Sequence, residues 1–301
     1  MNSGQPSSVD PQGRRARPKT AHLSIPPKHS MKRGHGRHSA AEPAIFVRIL
    51  PDHRATHLLL QKDLSLANRL IAALPANERG LFIEHCDLVE LKPHQARTDA
   101  GPSPAHAYFP VDSIVSVLFP TAGAPNIQVA LVGNEGMFNT SLVLGVSPCA
   151  FTSRVQREGR AFCIHHSALQ HRINEDACLH DILNRYVDVR QSQLAQQIAC
   201  IQHHSIKQRL ARCLLMNRDR AQSSELFITH SALAFMLGVR RESVTRAAGF
   251  FESRGLISYS PGYVMLLDEA GLQSLSCNCY QADRRIYERT LGGPCAGHRG
   301  A

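Results

Sequence analysis

The stretch 229–255 constrains this chain more than any other, because it predicts two short helices joined by a tight turn. Thr229 can open the first helix: its hydroxyl can accept one of the backbone N–H groups left free at a helix start. Leu233, Phe235, Met236 and Leu237 follow at helical spacing. Gly238 can then take the left-handed conformation that ends a helix without a Cβ clash. A second helix starts near Arg240, with Val244, Ala247, Ala248 and Phe251 on its inner face. That leaves Arg240, Arg241, Glu242, Ser243, Thr245 and Arg246 on its outward first turns. Directly after it, 256–259 and 263–266 are strand-like runs split by the turn Ser260-Pro261-Gly262, and Asp268 can cap a last helix through Leu272 and Leu275. A helix pair followed by a hairpin is the pattern of a winged helix-turn-helix, whose second helix enters the DNA major groove by its N-terminal end. Arg forks to guanine O6 and N7, and Glu accepts from the cytosine amine, so the residue types suit that contact.

Charge points the same way. The formal net charge is +10, and 201–260 carries nine Lys or Arg against four Asp or Glu. Phosphate contacts from such a surface supply most non-specific DNA affinity. Double-stranded DNA is therefore the expected partner. No apolar run reaches the roughly 18–20 residues a membrane helix needs, and the polar, basic start has no signal-peptide core. The expected location is cytoplasmic, with no membrane partner. No Gly-x-Ser-x-Gly, phosphate-loop or His-Glu-x-x-His motif occurs, so no catalytic residues and no cofactor are expected. Nine cysteines, an odd number, argue against a disulfide framework. Cys277-Asn278-Cys279 lacks a clear second pair, and Cys200 with His203 and His204 is a weak ligand set. The thiols are expected to be buried or idle, with no metal.

Along the chain, 1–60 reads as a disordered basic arm, rich in Pro, Ser, Gly, His and Arg over its first 43 residues. Residues 61–174 follow, with helices predicted over 64–74 and 77–86 and then strands. Val111, Ile114, Val115, Val117 and Leu118 form one β-rich group, and Ile127, Val129 and Leu131 alternate with other residues. Such punctuated strands suggest a small antiparallel, jelly-roll-like β-roll. Residues 175–202 make the longest helix candidate and carry two apolar stripes. One runs through Leu179, Leu183, Val187, Leu194, Ile198 and Ile201, the other through Ile182, Tyr186, Val189 and Cys200. Two stripes suit two burials, one against the roll and one against a partner helix. Ile182, Tyr186, Val189 and Ile198 are the expected dimer-interface residues. Residues 203–276 form the winged helix region, and 277–301 reads as a flexible tail. The fold class is α+β: an N-terminal β-roll, a long dimerisation helix and a C-terminal winged helix-turn-helix.

Residues from about 61 to 280 resemble the Crp/Fnr family of bacterial transcription regulators. Gly238-Val239-Arg240-Arg241-Glu242-Ser243-Val244-Thr245-Arg246 is similar to that family's recognition-helix signature, and Ser205-Ile206-Lys207-Gln208-Arg209-Leu210-Ala211 to the helix that opens its DNA-binding domain. Tyr108-Phe109-Pro110 and Val132-Gly133-Asn134-Glu135-Gly136-Met137 resemble its sensor domain. The resemblance implies a homodimer with a cyclic-nucleotide-type roll, reading a near-palindromic operator and working with RNA polymerase. It also implies effector-pocket candidates: Glu135, Gly136, Cys149 and Arg154. In nucleotide-binding members an Arg and a hydroxyl residue hold the cyclic phosphate. Here Cys149 and Ala150 stand in those places, and neither supplies the cation a buried phosphate needs. The roll is therefore expected not to respond to cyclic AMP, and the effector stays unassigned. The alternative is an effector-binding or protein-interaction module without DNA function, favoured if Arg241 and Arg246 were buried in ion pairs within the chain.

Overall fold

The computed structural model describes residues 46–49, 64–93, 105–147 and 149–293. Strand β1 (Phe46–Ile49) is followed by helices α1 (Arg69–Ala72) and α2 (Ala76–Ile83) and strand β2 (Asp87–Lys92). Strands β3 (His106–Pro110), β4 (Ile114–Phe119), β5 (Ile127–Val132), β6 (Thr152–Arg157) and β7 (Gly159–His165) complete the roll. All pairings are antiparallel, in two sheets ordered β1-β2-β7-β3 and β5-β4-β6. Strand β1 falls within the expected disordered arm; its backbone pairs with β2, with Phe46 opposite Lys92 and Ile49 opposite Val89. The rest of the arm lies outside the described residues.

Strand β7 shows why the roll closes. Ala161, Phe162, Cys163 and Ile164 are all buried, so both faces of this strand are covered. Ala161 and Cys163 meet Val89, Leu91, Val115, Val132, Phe138 and Val155 between the two sheets. Phe162 and Ile164 face the opposite way, onto Phe82, Phe109 and the helices. A continuous apolar run is what a strand buried on both faces requires.

Helix α3 (His166–Glu175) is split from α4 (Ala177–His203) by Asp176, whose carboxylate accepts from the N–H groups of Cys178 and Leu179 at 2.9 and 3.0 Å. Helix α4 is about 40 Å long at 1.5 Å per residue. Its Ile182, Tyr186 and Val189 are buried in the chain's own core with Leu179 and Leu183. Three of the four expected dimer-interface residues therefore face inward, and only Ile198 is exposed, at 69%. The reason is periodicity: it reveals two apolar faces but not which face meets the roll. The outward face carries Ile198 and Ile201, with Leu194 half-buried.

A capping box at Ser205 and Gln208 opens α5 (Ile206–Ala221). After it come β8 (Glu225–Leu226), α6 (His230–Leu237), α7 (Arg241–Glu252), the hairpin β9 (Ile257–Ser260) and β10 (Tyr263–Leu266), and α8 (Glu269–Leu275). Leu210, Leu214, Leu233, Val244, Phe251, Leu256 and Leu272 share one core, which Ile114 and Leu131 of the roll join. The expected flexible tail is instead helical over α9 (Cys279–Leu291). Tyr287 and Leu291 pack into the core beside α4, and Arg185 Nη1 donates to the Thr290 carbonyl at 3.1 Å. Among the described residues, no helix is long and apolar enough to cross a membrane.

Candidate nucleic-acid interface

The Thr229 hydroxyl accepts from the Ala232 N–H at 3.1 Å, and Gly238 ends α6 at φ 62°. Both features follow the local sequence. Arg240 then occupies the N-cap of α7, and its side chain makes no capping bond there. A helix start without a side-chain acceptor, flanked by cations, presents partial positive charge to an anion. Arg240, Arg241, Glu242, Thr245 and Arg246 are exposed, and Ser243 is half-buried. Val244, Ala247, Ala248 and Phe251 are buried beneath them. Arg240, Arg241, Glu242 and Arg246 form no ion pair with another of the described residues.

Thr245 differs from its neighbours. Its hydroxyl donates to the Arg241 carbonyl at 3.2 Å and lies 3.1 Å from His230 Nδ1. The His230 ring stacks on Tyr259 of β9, with centroids 3.8 Å apart. One imidazole thus ties α6, α7 and the wing together. Burial holds its pKa below the usual histidine value, and the Arg241 cation lowers it further. A second brace is Phe250, covered by Lys207 at 3.6 Å and Arg254 at 4.1 Å, which fixes the start of α5 against α7. Sequence reasoning missed both braces, since His230–Tyr259 and Lys207–Phe250 each join separate elements.

The effector-pocket candidates do not converge. Glu135 Oε1 pairs with Arg220 Nε of α5 at 2.9 Å, and Oε2 accepts from the Gly133 N–H at 2.9 Å. Gly136 lies so close to α4 that a Cβ there would sit 1.9 Å from the Tyr186 hydroxyl. Cys149 is half-buried in the loop before β6. Arg154 points at the DNA-binding region, its guanidinium 4.3 Å over the Phe235 ring. A cleft of about 240 Å³ opens between the 133–138 turn, α5 and α9, lined by Arg69, Arg220, Tyr280, Arg284 and Tyr287; of the four candidates only Glu135 lines it.

Cys86 and Cys163 are buried in the roll, where burial pushes both thiols up, Cys163 to about 12. Cys277 and Cys279, read as lacking a clear second pair, meet Cys200 and His204 of the weak ligand set where α4 ends and α9 begins. Two candidate ligand pairs distant in the chain meet through the packing of α9 on α4.

Residues 208–275 match the Crp-like helix-turn-helix domain. No curated protein sequence matches the chain. Among solved structures, a Crp/Fnr-family transcriptional regulator from Thermus thermophilus shares 21% identity at TM-score 0.52, covering 63% of this chain and 97% of its own. A Crp-family regulator from the same organism shares 19% at TM-score 0.50, covering 68% and 97%. FixK2 from Bradyrhizobium japonicum shares 13% at TM-score 0.54, covering 64% and 98%. The chain thus carries a Crp-like helix-turn-helix domain within the fold of the Crp/Fnr transcription regulators.

Proposed function

We propose that this chain regulates transcription as a homodimer that reads a near-palindromic operator through α7. The observation that carries the reading is the row Arg240, Arg241, Glu242 and Arg246, exposed and without ion-pair partners among the described residues, over a buried apolar face. Unpaired, outward-facing arginines also weigh against a binding module without DNA function. The exposed Ile198 and Ile201 on α4 supply the dimer seam. Two recognition helices would then meet half-sites about one helical turn apart, ~34–36 Å. The likeness to bacterial regulators makes RNA polymerase a partner and the cytoplasm the place of action. The roll does not answer cyclic AMP, since Arg154 and Glu135 already have partners within the chain.

Selection of binding sites from random duplexes with the full chain tests this. Enrichment of a two-fold symmetric site supports the reading. Retention of all sequences alike, or of none, overturns it.

A further inference from the structure

We infer that Cys200, His204, Cys277 and Cys279 form a structural site for one zinc ion, which clamps α9 to the C-terminal end of α4. Cys200 lies in the last turn of α4, and His204 is the residue that caps it, its N–H donating to the Cys200 carbonyl at 3.1 Å. Cys277 lies two residues before Cys279, the first residue of α9, with Asn278 as the N-cap between them. The Cys200 and Cys277 sulfurs are 3.5 Å apart, Cys279 Sγ is 3.5 Å from His204 Nδ1, and all four ligand atoms lie within 4.8 Å of one another. A tetrahedron with zinc bonds of 2.3 Å to sulfur and 2.0–2.1 Å to nitrogen has edges of about 3.5–3.8 Å. The spacing therefore suits a single ion.

Burial and charge point the same way. Cys200, Cys277 and Cys279 are each at most 3% exposed, and they form a small cluster of their own rather than joining the aliphatic core. Three thiols packed mainly on one another gain little from apolar contact, whereas three thiolates and an imidazole complete a closed zinc shell. Three thiolates around a dication leave one net negative charge. The guanidinium of Arg212, buried and ion-paired with Asp283, lies against Cys200 and directs an N–H donor at that sulfur. Gln196 Nε2 donates to Cys279 Sγ at 3.0 Å, a second-layer bond of the kind that orients a metal ligand. The site lies at the junction between the long helix and α5, so an ion there would fix how the DNA-binding region leaves that helix.

Full-length protein purified under reducing conditions tests the inference by elemental analysis and by replacement of zinc with cobalt. About one zinc per chain is expected, and the cobalt form should show thiolate charge-transfer bands with the intense visible bands of a tetrahedral ion. Cys279→Ser and His204→Ala should each lose most of the bound zinc, while Cys86→Ser keeps it. Chelation should lower the melting temperature of the wild type. Wild type that holds neither zinc nor cobalt once its thiols are reduced overturns the inference, and that reading needs no folded variant. Tetrahedral cobalt bands unchanged in both folded ligand variants would overturn it as well.

Discussion

Glu135 and Arg220 join the turn after β5 to the first helix of the DNA-binding region, Oε1 to Nε at 2.9 Å, with side chains 13% and 8% exposed. Arg220 Nε also donates to the Leu131 carbonyl at 2.9 Å. A pair this buried gains little net stability over an apolar pair, but removing one partner strands the other charge. Arg220→Ala should therefore cost about 3–5 kcal/mol, read as a lower urea midpoint. A loss under about 1 kcal/mol, the value of an exposed pair, would mean that solvent reaches Glu135.

Arg241 should contribute specificity more than raw affinity. Arg241→Ala is expected to cost ~1–3 kcal/mol of discrimination at one guanine position, with a smaller loss on unrelated DNA. Footprinting of both proteins on a selected site checks this. Equal loss on every sequence would reassign Arg241 to phosphate contact.

Local chemistry made the winged helix legible. Caps at Thr229 and Gly238 and the 244–251 apolar spacing act within a few residues, and α7 begins one residue from the expected start. The roll's strands were readable for the same reason. Helix α9 was not, although Tyr280, Asp283, Tyr287 and Leu291 repeat at helical spacing on its buried face. The Cys-x-Cys at its start and its many charges drew attention away from that period. The faces of α4 could be counted from sequence, but only the packed roll decides which face turns inward. The Glu135–Arg220 pair and the Cys200–Cys277 contact join residues 85 and 77 positions apart, the kind of pairing no local pattern encodes.

The exposed end of the α4 stripe predicts a clean separation between assembly and folding. Ile198→Asp should leave helical content unchanged and shift the protein from dimer to monomer in light scattering, because a charge in an apolar seam is desolvated without a partner. Val189→Asp puts the same charge into the chain's own core, where Val189 is fully buried, and should prevent folding. An Ile198→Asp protein that stays dimeric would move the interface elsewhere.

Cyclic AMP should bind weakly or not at all. Cys149 and Ala150 supply no cation, and Arg154 is held over Phe235. Loss of a buried charge-assisted contact costs ~2–5 kcal/mol, and each 1.4 kcal/mol is about tenfold in affinity. A micromolar site would thus fall to about millimolar. Calorimetry with cyclic AMP and cyclic GMP decides. A saturable micromolar isotherm would show that Arg154 leaves Phe235 for the phosphate, and Phe235→Ala would then tighten binding.

His230 should make the DNA-binding region sensitive to mild acid. Its folded pKa lies below the unfolded value of about 6.5, from burial first and the Arg241 cation second, with Glu252 opposing. Between the two values the unfolded chain binds the extra proton, so stability rises with pH there. The contribution is complete above about pH 6.5 and is lost as pH falls toward the folded value. Because the Thr245 hydroxyl gives its one proton to the Arg241 carbonyl, His230 Nδ1–H donates to Thr245 Oγ1, and the added proton falls on Nε2, which is buried with no hydrogen-bond partner among the described residues. His230→Phe keeps an aromatic ring against Tyr259 and removes the titration. Its urea midpoint should vary less than that of the wild type between about pH 7 and pH 5.5, the range that brackets an ordinary histidine. Parallel pH profiles for the two proteins would mean that His230 is not the group responsible.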